Sequence, residues 1–271
     1  MPMKKYFFLL LIIVPLISMA QLENSISGSA SIAETSVSDE RQWAAFHNPA
    51  NLGFLQKTEF GATYENRFFI KELSTKIVQV AIPTDKINIG IALSHFGYSV
   101  SHDILAGVAL SRNFSDKFAL GVSVNYFTSY FVQESRYRGA ILGQIGANIN
   151  ISSNFNIGFN AFNPFLTNMK TETAVKKLPS VYSLGTRYFF YQNLAWRTQI
   201  DKDLNANYRF ATGFDYYLQD VFTIKLGIYG YDYLISCLGI GFNINNFKFD
   251  LNAEMHPQLG INTFAMLRYN L

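Results

Sequence analysis

Four histidines, His47, His95, His102 and His256, are the groups in this 271-residue chain best suited to move a proton or hold a metal. His95 and His102 flank the stretch 96–101, beside Ser94, Ser99 and Ser101, so a serine nucleophile with a histidine base is the first chemistry to consider. The rest of such a site is missing, because no Gly-x-Ser-x-Gly elbow occurs in the chain. His95, His102 and Asp103 form only a loose trio, whereas a metal needs clustered ligands at set spacing. His47 and His256 are expected on opposite ends of the fold. No Gly-rich phosphate loop and no acidic calcium loop is present. The single cysteine, Cys237, lies in an apolar alternating stretch and reads as a small packed residue, with no internal disulfide open to it. A net charge of +3 leaves no footprint for nucleic acid. The expectation is a non-catalytic protein without cofactor or metal.

The elements that carry these residues point to a membrane. Lys4 and Lys5 precede an apolar run over 6–17, followed by Ser18-Met19-Ala20. This pattern predicts a signal peptide over 1–20, cleaved after Ala20, with no cysteine there to carry a lipid. The composition is 16% aromatic and 15% charged, aromatic-rich and charge-poor for a soluble chain. From about Lys57 the sequence alternates at period two. Phe118, Leu120, Val122, Val124 and Tyr126 oppose Ala119, Gly121, Ser123 and Asn125. Ile87, Ile89, Ile91 and Leu93 oppose Asn88, Gly90, Ala92 and Ser94, and Leu238, Ile240, Phe242 and Ile244 oppose Gly239, Gly241 and Asn243. Such segments are strands with one apolar and one polar face. Tight polar turns at 84–86, 115–117, 152–154, 192–193, 219–220 and 245–246 alternate with mostly longer connections, at 65–74, 96–102, 128–136 and 162–179. That parity marks a transmembrane barrel whose apolar face meets lipid, with both chain ends on the tight-turn side. The predicted fold is therefore all-β: a transmembrane antiparallel β-barrel of about 14 strands over 57–271, in the outer membrane and in contact with its lipid. Aromatic clusters at strand ends, among them Tyr126, Tyr130, Tyr188, Tyr216 and Tyr231, read as girdles at the lipid–water boundary.

If the apolar positions face lipid, their neighbours face the lumen. In the first half these are small or neutral: Ser94, Gly107, Ser111, Gly121, Ser123, Asn125, Gln144, Gly146 and Asn148. In the second half they include Arg187, Arg197, Asp201, Arg209, Asp215, Lys225, Lys248, Asp250, Glu254 and Arg268. Charges of both signs in a barrel must pair or stay wet. They form a salt-bridge ladder in the wall, a polar conduit, or a docking surface for a plug. The small residues opposite leave room for an occupant, and the preceding segment, 21–56, is the available one.

That segment does not alternate. It carries a small-residue run from Gly28, the acidic Asp39, then Trp43-Ala-Ala-Phe46-His-Asn48-Pro49-Ala50-Asn-Leu52. This stretch resembles the start of the FadL superfamily of outer-membrane barrels, closer to the PorV/PorQ-like branch associated with type IX secretion. The His256-Pro-Gln-Leu259-Gly260 stretch is similar to that branch as well. The resemblance implies an N-terminal hatch over 21–56, in or under the lumen of a fourteen-stranded barrel. Trp43 and Phe46 would pack on the inner wall with Ala50 and Leu52. Asn48 would satisfy turn backbone groups, and Pro49 would fix the chain direction. Ser29, Ala30 and Ser31 stand where the family start usually has more glycines. The leading functional expectation is an accessory of protein secretion whose partner is a translocon or secreted cargo. The alternative is a FadL-like channel for a hydrophobic ligand, with an apolar pocket near Trp43, Phe46, Leu52 and Phe54 and a lateral gap in the wall. A structural barrel with a sealed lumen is the third.

Overall fold

The alternating faces close on themselves. In the computed structural model the residues described are 25–26, 31–39, 43–115, 117–132, 136–170, 175–219, 221–230 and 233–271. The expected signal peptide and its cleavage after Ala20 lie outside the described residues, as do Asp116, Asp220 and Tyr231. The strands are β1 (Glu59–Arg67), β2 (Ser74–Ile82), β3 (Asn88–Tyr98), β4 (Ser101–Ser115), β5 (Phe118–Phe131), β6 (Arg136–Ser152), β7 (Phe155–Phe162), β8 (Asn168–Lys170), β9 (Val175–Lys177), β10 (Val181–Tyr191), β11 (Leu194–Asp203), β12 (Tyr208–Leu218), β13 (Phe222–Gly230), β14 (Leu234–Ile244), β15 (Phe247–His256) and β16 (Gly260–Asn270). All but β8 and β9 form a closed antiparallel barrel of fourteen strands. Closure is made by β1 against β16, from Glu59 opposite Asn270 to Arg67 opposite Asn262. A closed sheet leaves no edge, so every strand finds partners without water.

The burial pattern is that of a protein turned inside out. On β5, Leu120, Val122, Val124 and Tyr126 are exposed on the outer face, while Ala119, Ser123 and Asn125 are buried inside. The same holds for Leu238 and Ile240 outside and Cys237 inside on β14. An outer wall of exposed Val, Ile, Leu and aromatic residues suits lipid, and a soluble sandwich would hide those residues.

Two connections differ from the expectation. The stretch 96–102 is no loop, since Tyr98 pairs with Ser101 and only Ser99 and Val100 join the strands. Gly97, at φ +97, supplies the left-handed backbone at this turn. Likewise β4, β5 and β6 run for 15, 14 and 17 residues, more than the ~9–11 that cross a bilayer. Continued pairing carries the wall past the membrane on that side. In contrast, β7 has only 8 residues. Its pairing with β6 stops at Gln144 opposite Phe162, so residues 136–143 of β6 have no barrel partner on that side among the described residues. The connection that follows covers this place. The Asn163 amide donates to the Gly143 carbonyl at 2.8 Å, and the Phe165 ring lies over Gly143. The β8–β9 hairpin belongs to the same connection, and its Met169 is packed inside with Leu178.

Candidate functional site

The lumen is filled from within by the chain's own N-terminal segment. Its seat is the wall of small residues. Trp43 packs flat against Gly90, and a Cβ there would meet the indole at 2.6 Å. Phe46 lies against Gly107, the Pro49–Ala50 backbone against Gly121, and Asn48 against Gly146. Glycine is required at these places because backbone and ring approach too closely for any side chain. Trp43, Phe46 and Leu52 join Ile77, Leu105, Phe127 and Leu142 in one apolar cluster. Phe46 holds a left-handed backbone, φ +66.

Amide side chains then fix the segment's polar backbone, which water cannot reach. Gln79 accepts from the Ala45 amide at 2.9 Å and donates to the Trp43 carbonyl at 2.8 Å. Gln144 donates to the carbonyls of Phe46, at 3.2 Å, and His47. Asn88 donates to the Leu52 carbonyl at 2.8 Å. Asn48 caps the 3-10 turn Pro49–Phe54: its Oδ1 accepts from the Ala50 amide at 2.9 Å, with Pro49 at the first position. Its Nδ2 donates to Val37, at 2.8 Å, and to Ala147 of β6, at 3.1 Å. Ala50 is fully buried, with its carbonyl accepting from Ser111 Oγ at 3.3 Å.

The charged half of the wall grips the same segment. Asp39 accepts from Arg187 at 2.6 Å and from Arg197 at 3.0 Å. Arg197 also binds Asp215 at 2.6 Å. Arg209 joins Glu34 to Asp201, both at 2.6 Å. Lower in the wall, Asp250 bridges Lys225 at 2.5 Å and Arg268 at 3.0 Å. Lys248 lies on β15 opposite Arg268. The inward charges therefore pair partly with one another and partly with acids of the inner segment. Sequence reasoning missed Glu34 and Asp39, together with the Gln79 and Asn88 clamps. Ile32 and Ala33 complete the fit against Gly213, Gly227 and Cys237.

Beyond the segment, toward the loop end, lies a cavity of about 500 Å³. Glu34, Val37, Phe46 and His47 form its floor, and Phe68, Leu73, Phe96, Phe162, Tyr233 and Leu259 its upper walls. Polar groups from the loop-side ends of the strands line it as well: Glu65, Arg67, Asp201, Arg209, Glu254 and Asn262. The apolar pocket expected near Trp43, Phe46, Leu52 and Phe54 is thus displaced. Trp43 and Leu52 are sunk into the glycine wall, and only Phe46 of the four lines the open space.

The histidines do not converge. His47 and His256 line one cavity instead of opposite ends, because the inner segment rises into the lumen. Ser94 is buried on the inner face while its neighbour His95 is on the outer face. His95 stacks on His102 at 5.5 Å and His102 on Tyr130 at 5.1 Å, outside the wall, so no Ser–His pair forms there. Inside, Ser36 Oγ lies 2.6 Å from His47 Nδ1, but Ser36 is itself 2% exposed. That leaves a substrate no approach to the hydroxyl.

No known family profile matches the chain, and no curated protein matches it. Solved structures do. A toluene transporter of Pseudomonas putida, TodX, superposes with a TM-score of 0.63 at 11% identity, over 89% of this chain and 95% of that one. The CymD monoaromatic hydrocarbon channel gives 0.61 at 9% identity, over 83% and 91%. A Pseudomonas aeruginosa FadL homologue gives 0.57 at 11% identity, over 83% and 92%. At this level of identity the likeness is one of fold.

Proposed function

We propose that this protein is a non-catalytic outer-membrane channel for small hydrophobic molecules, with its N-terminal segment as the hatch across the lumen. The carrying observation is the cavity of about 500 Å³ above that segment, walled by Phe68, Phe96, Phe162, Tyr233 and Leu259. A space of this size and lining accommodates a compact apolar molecule. The likeness to hydrocarbon channels supports the same reading, as an analogy of fold. Where β6 lacks a barrel partner, Phe165 and the connection that follows β7 cover the wall among the described residues. Toluene uptake by proteoliposomes carrying the purified barrel tests the proposal. Uptake several times that of empty liposomes is expected, reduced by Phe96→Ala. Uptake equal to that of empty liposomes would count against it.

The secretion-associated reading has a specific support of its own, the Trp43–Leu52 stretch with its PorV/PorQ-like Asn48-Pro49-Ala50. On that reading the filled lumen stiffens a barrel that works as a docking body. Purification in mild detergent from the native membrane, with mass spectrometry of what comes along, separates the two. A stoichiometric translocon or cargo protein favours secretion; the barrel alone with a hydrophobic molecule favours transport.

A further inference from the structure

Beside its apolar lining the cavity carries an unbalanced set of charged side chains. Four carboxylates line it, Glu34, Glu65, Asp201 and Glu254, against two guanidinium groups, Arg67 and Arg209. Both guanidinium groups are engaged: Arg67 with Glu65 at 2.6 Å, and Arg209 with Glu34 and Asp201. Glu254 is different. It is 4% exposed, lines the cavity, accepts one hydrogen bond from the Tyr229 hydroxyl at 2.9 Å, and forms no ion pair among the described residues. Directly across the β15–β16 pair is Asn262, whose buried Oδ1 has no donor among the described residues and lines the same cavity. Two acceptors thus lie side by side, and the guanidinium across β1 from Asn262, that of Arg67, is joined to Glu65. Of the inward bases that do not line the cavity, Lys225, Lys248 and Arg268 belong to the turn-end level of the lumen, and Arg187 and Arg197 are paired with Asp39.

Resting on the channel reading, we infer that the preferred ligand is an amphipathic cation: an apolar or aromatic body carrying an ammonium group that binds at Glu254. A buried carboxyl group without a counter-ion is costly to ionise, and a ligand cation with N–H donors offsets that cost. The aromatic walls at Phe68, Phe96 and Tyr233 favour the same charge through their ring faces. A carboxylate ligand meets the opposite situation, since no guanidinium in the cavity is without a carboxylate partner.

The test compares three probes of matched shape, 4-phenylbutylamine, 4-phenylbutanol and 4-phenylbutanoate, binding to the full-length barrel in detergent by calorimetry. The amine is expected to bind about tenfold or more tighter than the alcohol, as a charge-assisted hydrogen bond predicts, with the carboxylate weakest. Glu254→Gln should bring the amine to the alcohol's affinity in that variant. Asn262→Lys, which sets a resident ammonium beside Glu254, should abolish the preference even if the first variant fails to assemble. Alcohol and amine binding equally would overturn the cation inference and leave the channel reading standing. Binding of none of the three would overturn both.

Discussion

Asp39 ties the inner segment to the charged half of the wall. It is 2% exposed and shared by Arg187 and Arg197, which are 1% and 4% exposed. Removing the charge leaves two buried guanidinium groups with less compensation, a loss of roughly 3–5 kcal/mol for a buried pair. Asp39→Asn should therefore loosen the segment while the barrel stays closed, seen as trypsin cleavage within 31–56 of an otherwise resistant protein. Full resistance in the variant would show that the glycine wall alone holds the segment. This clamp had a trace in the sequence. Arg187, Arg197 and Arg209 were legible as inward bases of the second half, and Glu34 and Asp39 of the inner segment answer them beside Asp201 and Asp215. Which acids of that segment would answer was not legible, since 21–56 has no periodicity to set side-chain direction.

Among the elements, β3 to β6 form the seat. Their inward glycines, Gly90, Gly107, Gly121 and Gly146, were legible as small lumen positions because strict alternation fixes which face each residue takes. That they match Trp43, Phe46, Pro49 and Asn48 one by one was not legible, because register between a strand and an irregular segment has no local code. Gly121→Leu places a side chain in the space of the Pro49–Ala50 backbone. The expected result is a barrel that still assembles, judged by its heat-modifiable gel mobility, but leaks small solutes in a liposome-swelling assay. An assembled, tight variant would mean the segment has another way to seat. The shortness of β7 was hidden for a related reason. Residues 162–179 are polar and Pro-containing, so they read as a loop, but nothing in them says how far β6 runs on without a partner.

For the whole molecule, turn parity and alternation were enough to give fourteen strands, since each tight turn must be matched by a connection at the opposite end. The cavity was out of reach. Its lining comes from the inner segment and from strands at both ends of the chain, and no linear pattern brings Glu34, Phe96 and Glu254 together. The transport proposal rests on this space, open and aromatic-walled above a filled seat.

The claim at the centre of this account is that molecules cross only when the inner segment moves. Ala33 and Cys237, which lie in one buried apolar cluster, allow it to be tested. The measurement is toluene uptake by proteoliposomes carrying Ala33→Cys, before and after an oxidant joins it to the native Cys237 as a disulfide. The account predicts that joining abolishes uptake, and that the same reagent leaves the unmodified protein and an Ala33→Cys, Cys237→Ser variant active. Undiminished uptake through a fully cross-linked barrel would contradict it.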